Sequence, residues 1–281
     1  MNITFSRYTV TPKKRLNRLS SMGPKDGVFL SAEFNGKKVY ADYFPHLPLG
    51  DESVEIFLAG FKGQKTEYQQ KVFQLLKDDA RFQEFPSRKF RNHQLWSGSE
   101  EIHSPVVKYK MLSTHDNVFH EALRKGIRVR LDANAMFNPT NMHLLLDPIK
   151  PEWRSLIDYV EDPLSTTDWS GFPLKRARDF ISGTPFDLYI YKPNCEILPT
   201  FPNLIFSAYL GHVLGSWHTY CELMENGNTQ IVQGIIGTGF YEEVRDFYLG
   251  DFETGFSPDL AIVKETYREL AKRDWKPLCS M

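Results

Sequence analysis

VVKYK (Val106–Lys110), IRVRLDAN (Ile127–Asn134), IDYVEDP (Ile157–Pro163) and DLYIYKPN (Asp187–Asn194) decide how the rest of the chain is read. Each is a short apolar run that finishes on ionisable side chains. In a strand, residues two apart share a face. Lys108 and Lys110 therefore project together. Arg130, Asp132 and Asn134 do the same for as long as extended backbone persists. Charges facing into a closed sheet are costly unless paired or bound to metal. Arg, Lys and Asp in phase at strand ends point to an active site at the carboxyl end of a barrel, where such folds carry their chemistry.

Outward from these runs, strands alternate with helical patterns. Val118–Lys125 has helical spacing and stops at Gly126, a residue common just past a helix end. Leu204–Ser207 forms a further strand and Gly211–Met224 a helix. This alternation from His103 onward predicts parallel β/α units. Residues 1–100 read differently. Asp26-Gly27 precedes the run Val28–Phe34, and Asn35-Gly36 separates it from Lys37–Asp42, a strong hairpin signal. Lys65–Phe82 carries apolar residues at near-helical spacing. The expected organisation is an α+β unit over 1–100, a barrel over 101–250, and a C-terminal segment 251–281 that packs on the first unit.

With 281 residues and 41% apolar content, the chain can bury a large core. A net charge of −1 and a pI near 6.7 give no field toward nucleic acid or anionic lipid. No basic aromatic patch speaks for nucleic-acid binding. No stretch approaches the roughly 20 apolar residues needed to span a bilayer, and the first residues lack the apolar run of a signal peptide. Cys195, Cys221 and Cys279 form no C-x-x-C pair and read as free thiols. A cytoplasmic protein is expected. Its partner is a small-molecule carboxylate, with no nucleic acid and no membrane. Oligomeric state is left open, a monomer included.

Asp132, Glu161 and one further carboxylate form an oxygen donor set suited to Mg²⁺, with Mn²⁺ as an alternative. No His pair stands at zinc-ligand spacing. Taken alone, Asp132 would also suit a turn cap, Glu161-Asp162-Pro163 a strand exit, and Lys-x-Lys an exposed sheet edge. A lysine acts as a base only in its neutral form. A second cation and a metal nearby lower its pKa, a setting that Lys108 beside Lys110 offers.

In this order, with 29 positions from Asp132 to Glu161, these motifs resemble the enolase superfamily, and within it the o-succinylbenzoate synthase family of menaquinone biosynthesis. The superfamily's site, a Lys or His base with Mg²⁺ stabilising an ene-diolate, is a known pattern. The resemblance implies a (β/α)₇β barrel of TIM type under an N-terminal α+β capping domain. It implies Lys110 as general base and then general acid, Lys108 as its electrostatic assistant, and Lys192 as a cation on the opposite side. Asp132 and Glu161 would hold the metal, and Arg130, Asn134, Ser207 and Gly234 would line the substrate pocket. Asp179 would be the third metal ligand, with Asp168 as the fallback. Only 13 positions separate Asp179 from Lys192, so this β/α unit is read as trimmed. His212 is read as structural, and the loop around Ser21–Lys25 as a candidate lid.

The reaction implied is loss of water, by syn β-elimination, from 2-succinyl-6-hydroxy-2,4-cyclohexadiene-1-carboxylate to give o-succinylbenzoate. With lysines on opposite faces, N-acylamino acid racemisation or dipeptide epimerisation is the first alternative. A non-catalytic barrel kept as a binding module is the second, motivated by the trimmed unit.

Overall fold

The structure is a computed structural model that describes residues 2–13, 22–61, 65–180, 182–193, 196–208, 211–235 and 241–280. Cys195 and Ser21 lie outside these residues. The elements run β1 (Asn2–Val10), β2 (Lys25–Phe34), β3 (Lys37–Tyr43), α1 (Val54–Gly60), α2 (Glu67–Phe82), β4 (Gln94–Trp96), β5 (Val106–Lys110), α3 (His120–Arg124), β6 (Arg128–Asp132), α4 (His143–Leu146), β7 (Ile157–Glu161), β8 (Arg176–Arg178), β9 (Leu188–Tyr191), β10 (Leu204–Phe206), α5 (Val213–Asn226), β11 (Tyr248–Asp251), β12 (Gly255–Pro258), α6 (Leu260–Lys272) and β13 (Lys276–Ser280).

The first unit is an antiparallel sheet of order β13-β1-β2-β3. Asn35 and Gly36 turn β2 into β3 with φ of 51° and 74°, the left-handed pair that matches strand twist. Gly27 lies inside β2, where it pairs with Tyr8. The Tyr8 ring lies over it, so that a Cβ would fall 2.3 Å from the ring. Helix α2 presents Val72, Leu75, Leu76 and Phe82 to the sheet, all fully buried. The C-terminal strand β13 pairs with β1.

The second unit is a parallel sheet of order β10-β9-β8-β7-β6-β5-β4. Strand β4 is already part of it, so the parallel sheet begins before residue 101. A short extended segment closes the sheet. Gly234 bridges to Ser207 beyond β10, and Gln233 bridges to Asn92 ahead of β4. The N–H of Gly234 donates to Phe206 O at 2.9 Å, and the N–H of His93 donates to Gln233 O at 3.1 Å. Seven strands and this eighth piece make the expected cylinder.

The helical coat is thinner than strand–helix alternation predicts. Among the described residues no helix stands between β7 and β8, β8 and β9, or β9 and β10. The loop after β7 covers the barrel instead. There Trp169 is fully buried, and its indole N–H donates to Thr166 O at 2.8 Å. The trimmed unit read between Asp179 and Lys192 is present in this form.

The two units share one apolar core, in which Val28, Phe57, Leu75 and Leu76 meet Phe206, Trp217 and Leu223. Two buried polar nodes cross the same boundary. Lys71 of α2 pairs with Glu222 of α5, and the Tyr191 hydroxyl donates to Glu222 at 2.8 Å. Asp79 accepts from the Tyr40 N–H at 2.8 Å, Gln83 at 3.0 Å, His218 at 2.8 Å and the Tyr267 hydroxyl.

Asp42, buried in β3, accepts from the Tyr8 hydroxyl at 2.7 Å. Burial pushes its pKa up to about 7, against the pull of Tyr8 and of the His212 and Gly215 backbone. An acid raised in this way keeps its proton in the fold. Its contribution is complete below the unfolded pKa near 4 and is lost as pH rises to about 7. Asp42→Asn should therefore gain on the parent by roughly 2 kcal/mol between pH 5 and pH 8, read from urea unfolding of both proteins at the two pH values.

Candidate active site

Strand register builds the site. Lys110 on β5 pairs with Asp132 on β6, and Asp132 pairs with Glu161 on β7. The rung below holds Lys108, Arg130 and Tyr159. The intervening residues Val107, Tyr109, Val129, Leu131 and Val160 point outward into an apolar cluster under α3. Two-residue periodicity thus turns Lys108, Lys110, Arg130, Asp132 and Glu161 inward.

The ammonium of Lys108 sits between two carboxylates. Its Nζ lies 2.7 and 2.8 Å from the two oxygens of Glu161 and 3.3 Å from Asp132 Oδ2. Lys110 reaches the same Asp132 oxygen at 3.0 Å. Across the mouth, Lys192 pairs with Asp179. Ala177 of β8 stands beside Glu161 in the ladder, so Asp179 follows one step further toward the carboxyl end. Lys108, Asp132, Glu161 and Lys192 are all buried, whereas the Lys110 side chain keeps 24% of its surface exposed. Lys110 is therefore the lysine of this pair that a ligand can reach.

Electrostatics follow from that packing. Burial opposes the charge on Lys108, but Asp132 and Glu161 outweigh it and hold its pKa well above the ordinary value. Lys108 is thus held in its ammonium form. Burial likewise opposes the Asp132 carboxylate, and Lys108 and Lys110 outweigh it, so Asp132 is held below the usual range. Burial pushes Glu161 up; Lys108 pulls it down, while Asp132 and Asp179 push it further up.

Three oxygen donors at or just past the carboxyl ends of three adjacent strands fit a hard divalent cation. Among the described residues, no three acidic, His or Cys side chains are already drawn together as a metal cage. Lys108 and Lys192 take those carboxylates instead. Asp168 lies on the loop after β7, bonded to the Ser170 N–H at 2.9 Å, and is not part of the cluster.

The remaining expected residues are spread over two levels. Asn134 does not continue β6. The strand ends at Asp132, and Asn134 and Ala135 take φ of 47° and 52°. Asn tolerates this left-handed geometry better than most residues. The buried Asn134 amide points back to Asp132 O at 3.4 Å. Ser207 and Gly234 bridge each other at the barrel seam, and a Cβ at Gly234 would fall 2.8 Å from the His93 ring. Arg130 lies one rung below the carboxylates. Its guanidinium donates to Asp158 at 2.8 Å, to Val232 O at 2.9 Å and to His93 Nδ1 at 3.1 Å.

Several contributors escaped the sequence reading. His93 accepts at Nδ1 from a permanent cation, and burial followed by Arg130, Lys108 and Lys110 holds its pKa well below the ordinary value. It is a neutral imidazole in the barrel, and a lone His ahead of a three-residue strand gives no signal for that. Asp158 faces Arg130 because the ladder shifts register at this point of β7. Asp162, with φ of 41°, accepts the backbone N–H groups of Asp179 and Phe180 at 3.0 and 3.1 Å. The EDP motif could have suggested that last role. Glu196 accepts the Lys192 N–H at 3.1 Å and returns its own N–H to Lys192 O at 3.0 Å.

No family model matches the chain. An o-succinylbenzoate synthase of Bdellovibrio bacteriovorus is 28% identical over 228 residues, 69% of each chain. Among solved structures, o-succinylbenzoate synthase from Thermosynechococcus elongatus, complexed with magnesium in its active site, superposes with a TM-score of 0.64 at 15% identity, over 95% of this chain and 100% of that one. An Agrobacterium tumefaciens enolase family member with homology to dipeptide epimerases gives 0.61 at 14%, over 92% and 97%. The fold is that of the enolase superfamily. Among the described residues no helix is long and apolar enough to cross a membrane.

Removing one member of a buried charge network leaves the others uncompensated, at a cost of about 3–5 kcal/mol. Lys108→Met should lower unfolding stability by that amount in the presence of a chelator, whereas Lys110→Met, at a more exposed position, should cost under about half as much; urea midpoints compare the two.

Proposed function

We propose that this chain, an enolase-superfamily relative of o-succinylbenzoate synthase, catalyses syn β-elimination of water from 2-succinyl-6-hydroxy-2,4-cyclohexadiene-1-carboxylate to give o-succinylbenzoate. One observation carries the reading: Lys110, Asp132 and Glu161 share a rung, with the more accessible lysine next to the carboxylates and Lys192, just past β9, paired with Asp179. Asp132, Glu161 and Asp179 would hold a Mg²⁺ ion. Bound there, Mg²⁺ supplies positive charge that makes a substrate carboxylate easier to convert to its ene-diolate.

The chain's own residues perform the proton work. Neutral Lys110 Nζ takes the proton from the carbon α to the carboxylate. The freed electron pair then forms the new carbon–carbon double bond as the C–O bond breaks. Lys110 returns the same proton to the departing hydroxyl, which leaves as water, and the amine is neutral again. One lysine suffices because proton and hydroxyl leave from one ring face. Lys108 stays charged between Glu161 and Asp132 and keeps a fixed positive charge beside the site of proton transfer. Lys192 opposes the negative charge that develops on the substrate. Asp162 fixes the backbone of Asp179, and Glu196 that of Lys192.

A second reading has support in the likeness to the dipeptide-epimerase relative and in the two lysines on opposite walls. If Lys192 takes a proton where Lys110 returns one, the outcome is 1,1-proton transfer. Assaying both substrate classes separates the two: racemisation or epimerisation without o-succinylbenzoate would overturn the first reading.

Lys110→Ala should lower kcat by about 10³-fold or more and leave Mg²⁺ affinity within a factor of a few, by turnover assay and calorimetry. Asp179→Ala should weaken Mg²⁺ binding by about tenfold or more; an unchanged affinity removes Asp179 from the metal site.

A further inference from the structure

A cavity of about 590 Å³ opens at the other end of the barrel. Its wall includes Arg128, Leu188 and Leu204, each the first residue of its strand, so it lies at the amino-terminal mouth, opposite Lys110 and Lys192. Arg91, Arg128 and Arg130 contribute three guanidinium groups to the wall, and Asp158 is the single carboxylate in it. That carboxylate is divided between Arg128 and Arg130. Arg91 is exposed and has no ion-pair partner among the described residues. Three positive side chains against one negative leave the wall with a surplus of two charges.

The rest of the wall suits an organic ligand. Leu188 and Phe201 provide apolar surface, and Asn203, Asn228 and Gln230 provide amides. The volume falls within the range of small-molecule sites, about 300–1,000 Å³. The inner wall is rigid, because Arg130 is held at all three of its contacts, by Asp158, Val232 O and His93. Guanidinium groups match planar oxyanions with paired N–H donors.

We propose that this mouth is a second binding site, for a small organic anion that carries a carboxylate or phosphate group, with Arg91 and Arg128 as its charge partners. Arg130 forms the partition between this site and the rung of Lys110, Asp132 and Glu161. The site is independent of the reaction assigned to the opposite mouth, and its occupancy needs no metal.

Calorimetric titration of the full chain with inorganic phosphate and, separately, with succinate tests this, at low ionic strength and with a chelator present. At least one probe should bind with one-to-one stoichiometry, and which one binds identifies the oxyanion. Arg91→Ala should weaken that binding by about tenfold, the loss of one charge-assisted contact, and Arg91→Lys should recover part of it. Lys110→Ala, at the opposite mouth, should leave it unchanged. Binding that survives Arg91→Ala, that is lost in Lys110→Ala, or that is absent for both probes at about 10 mM would overturn the assignment. Arg91 is exposed and its side chain has no partner among the described residues, so the Ala variant should keep the parent's melting temperature, which verifies that the comparison is made on folded protein.

Discussion

Charge balance inside a closed sheet is the constraint on which the rest of this structure depends. Asp132 and Glu161 are nearly inaccessible to solvent and stand on neighbouring strands. Two such carboxylates repel each other strongly in a medium of low dielectric. Lys108 lies between them, and Lys110 and Lys192 flank the group. The arrangement is layered. Lys108 and Arg130 form a mostly positive rung, and the rung above carries Asp132 and Glu161 beside Lys110. Alternation along each strand keeps these groups inside the barrel, and the ladder register sets which of them meet. A shift of one residue in β6 would turn Asp132 into the apolar cluster of Val129 and Leu131, where it would have no partner.

The same logic ties the antiparallel unit to the catalytic mouth. Lys192 directly follows Tyr191, and Tyr191 is held by the buried Lys71–Glu222 pair that joins α2 to α5. Glu222 is satisfied by an ammonium and a hydroxyl, and Asp79 by four donors. Buried ion pairs of this kind add little net stability compared with apolar packing, but they penalise any misaligned docking heavily. Their effect here is to fix the register of α2 against β9, and with it the position of the lysine at the end of that strand.

How much of this could be read in the sequence depended on length and period. Strands β5, β6 and β7 were legible because each has five residues that mix apolar and charged side chains and end on a charge, and β9 because its continuous apolar run Leu188–Tyr191 leads into Lys192. The hairpin at Asn35-Gly36 and helix α2 were legible for similar reasons. Strand β4, the three-residue β8 with its sequence Arg-Ala-Arg, and the closing pair Gln233-Gly234 are too short to show a period, and they belong to the sheet only because their neighbours supply hydrogen-bond partners. Strand β13 contains Pro277, which fits an edge strand but weakens a local strand signal. At the site, strand phase brought Lys108, Lys110, Asp132 and Glu161 together correctly, but it failed at Asn134, where a left-handed residue ends the strand, and at Asp158, where a register shift redirects a side chain. His93 and Glu196 act through contacts with no sequence spacing to reveal them.

The unequal coat of the barrel follows from where its energy resides. Helices on a parallel barrel serve to bury the outward faces of the strands and to carry the chain back to the amino end. Where α3 covers β5 and β6, the outward residues are Val107, Val129 and Leu131, a broad apolar face that needs a helix. Outside β8 the strand has three residues and a single fully buried Ala177 pointing to the interior cluster, so there is little outward face to cover. One fully buried indole on a loop, Trp169, wedged against Gly183 so closely that a Cβ there would overlap the ring, does the covering. Removing the helices shortens the path from Asp179 to Lys192 without moving the strand ends. That is why a shortened barrel still brings Asp179 against Lys192 and keeps Asp179 one step past the strand residue that neighbours Glu161.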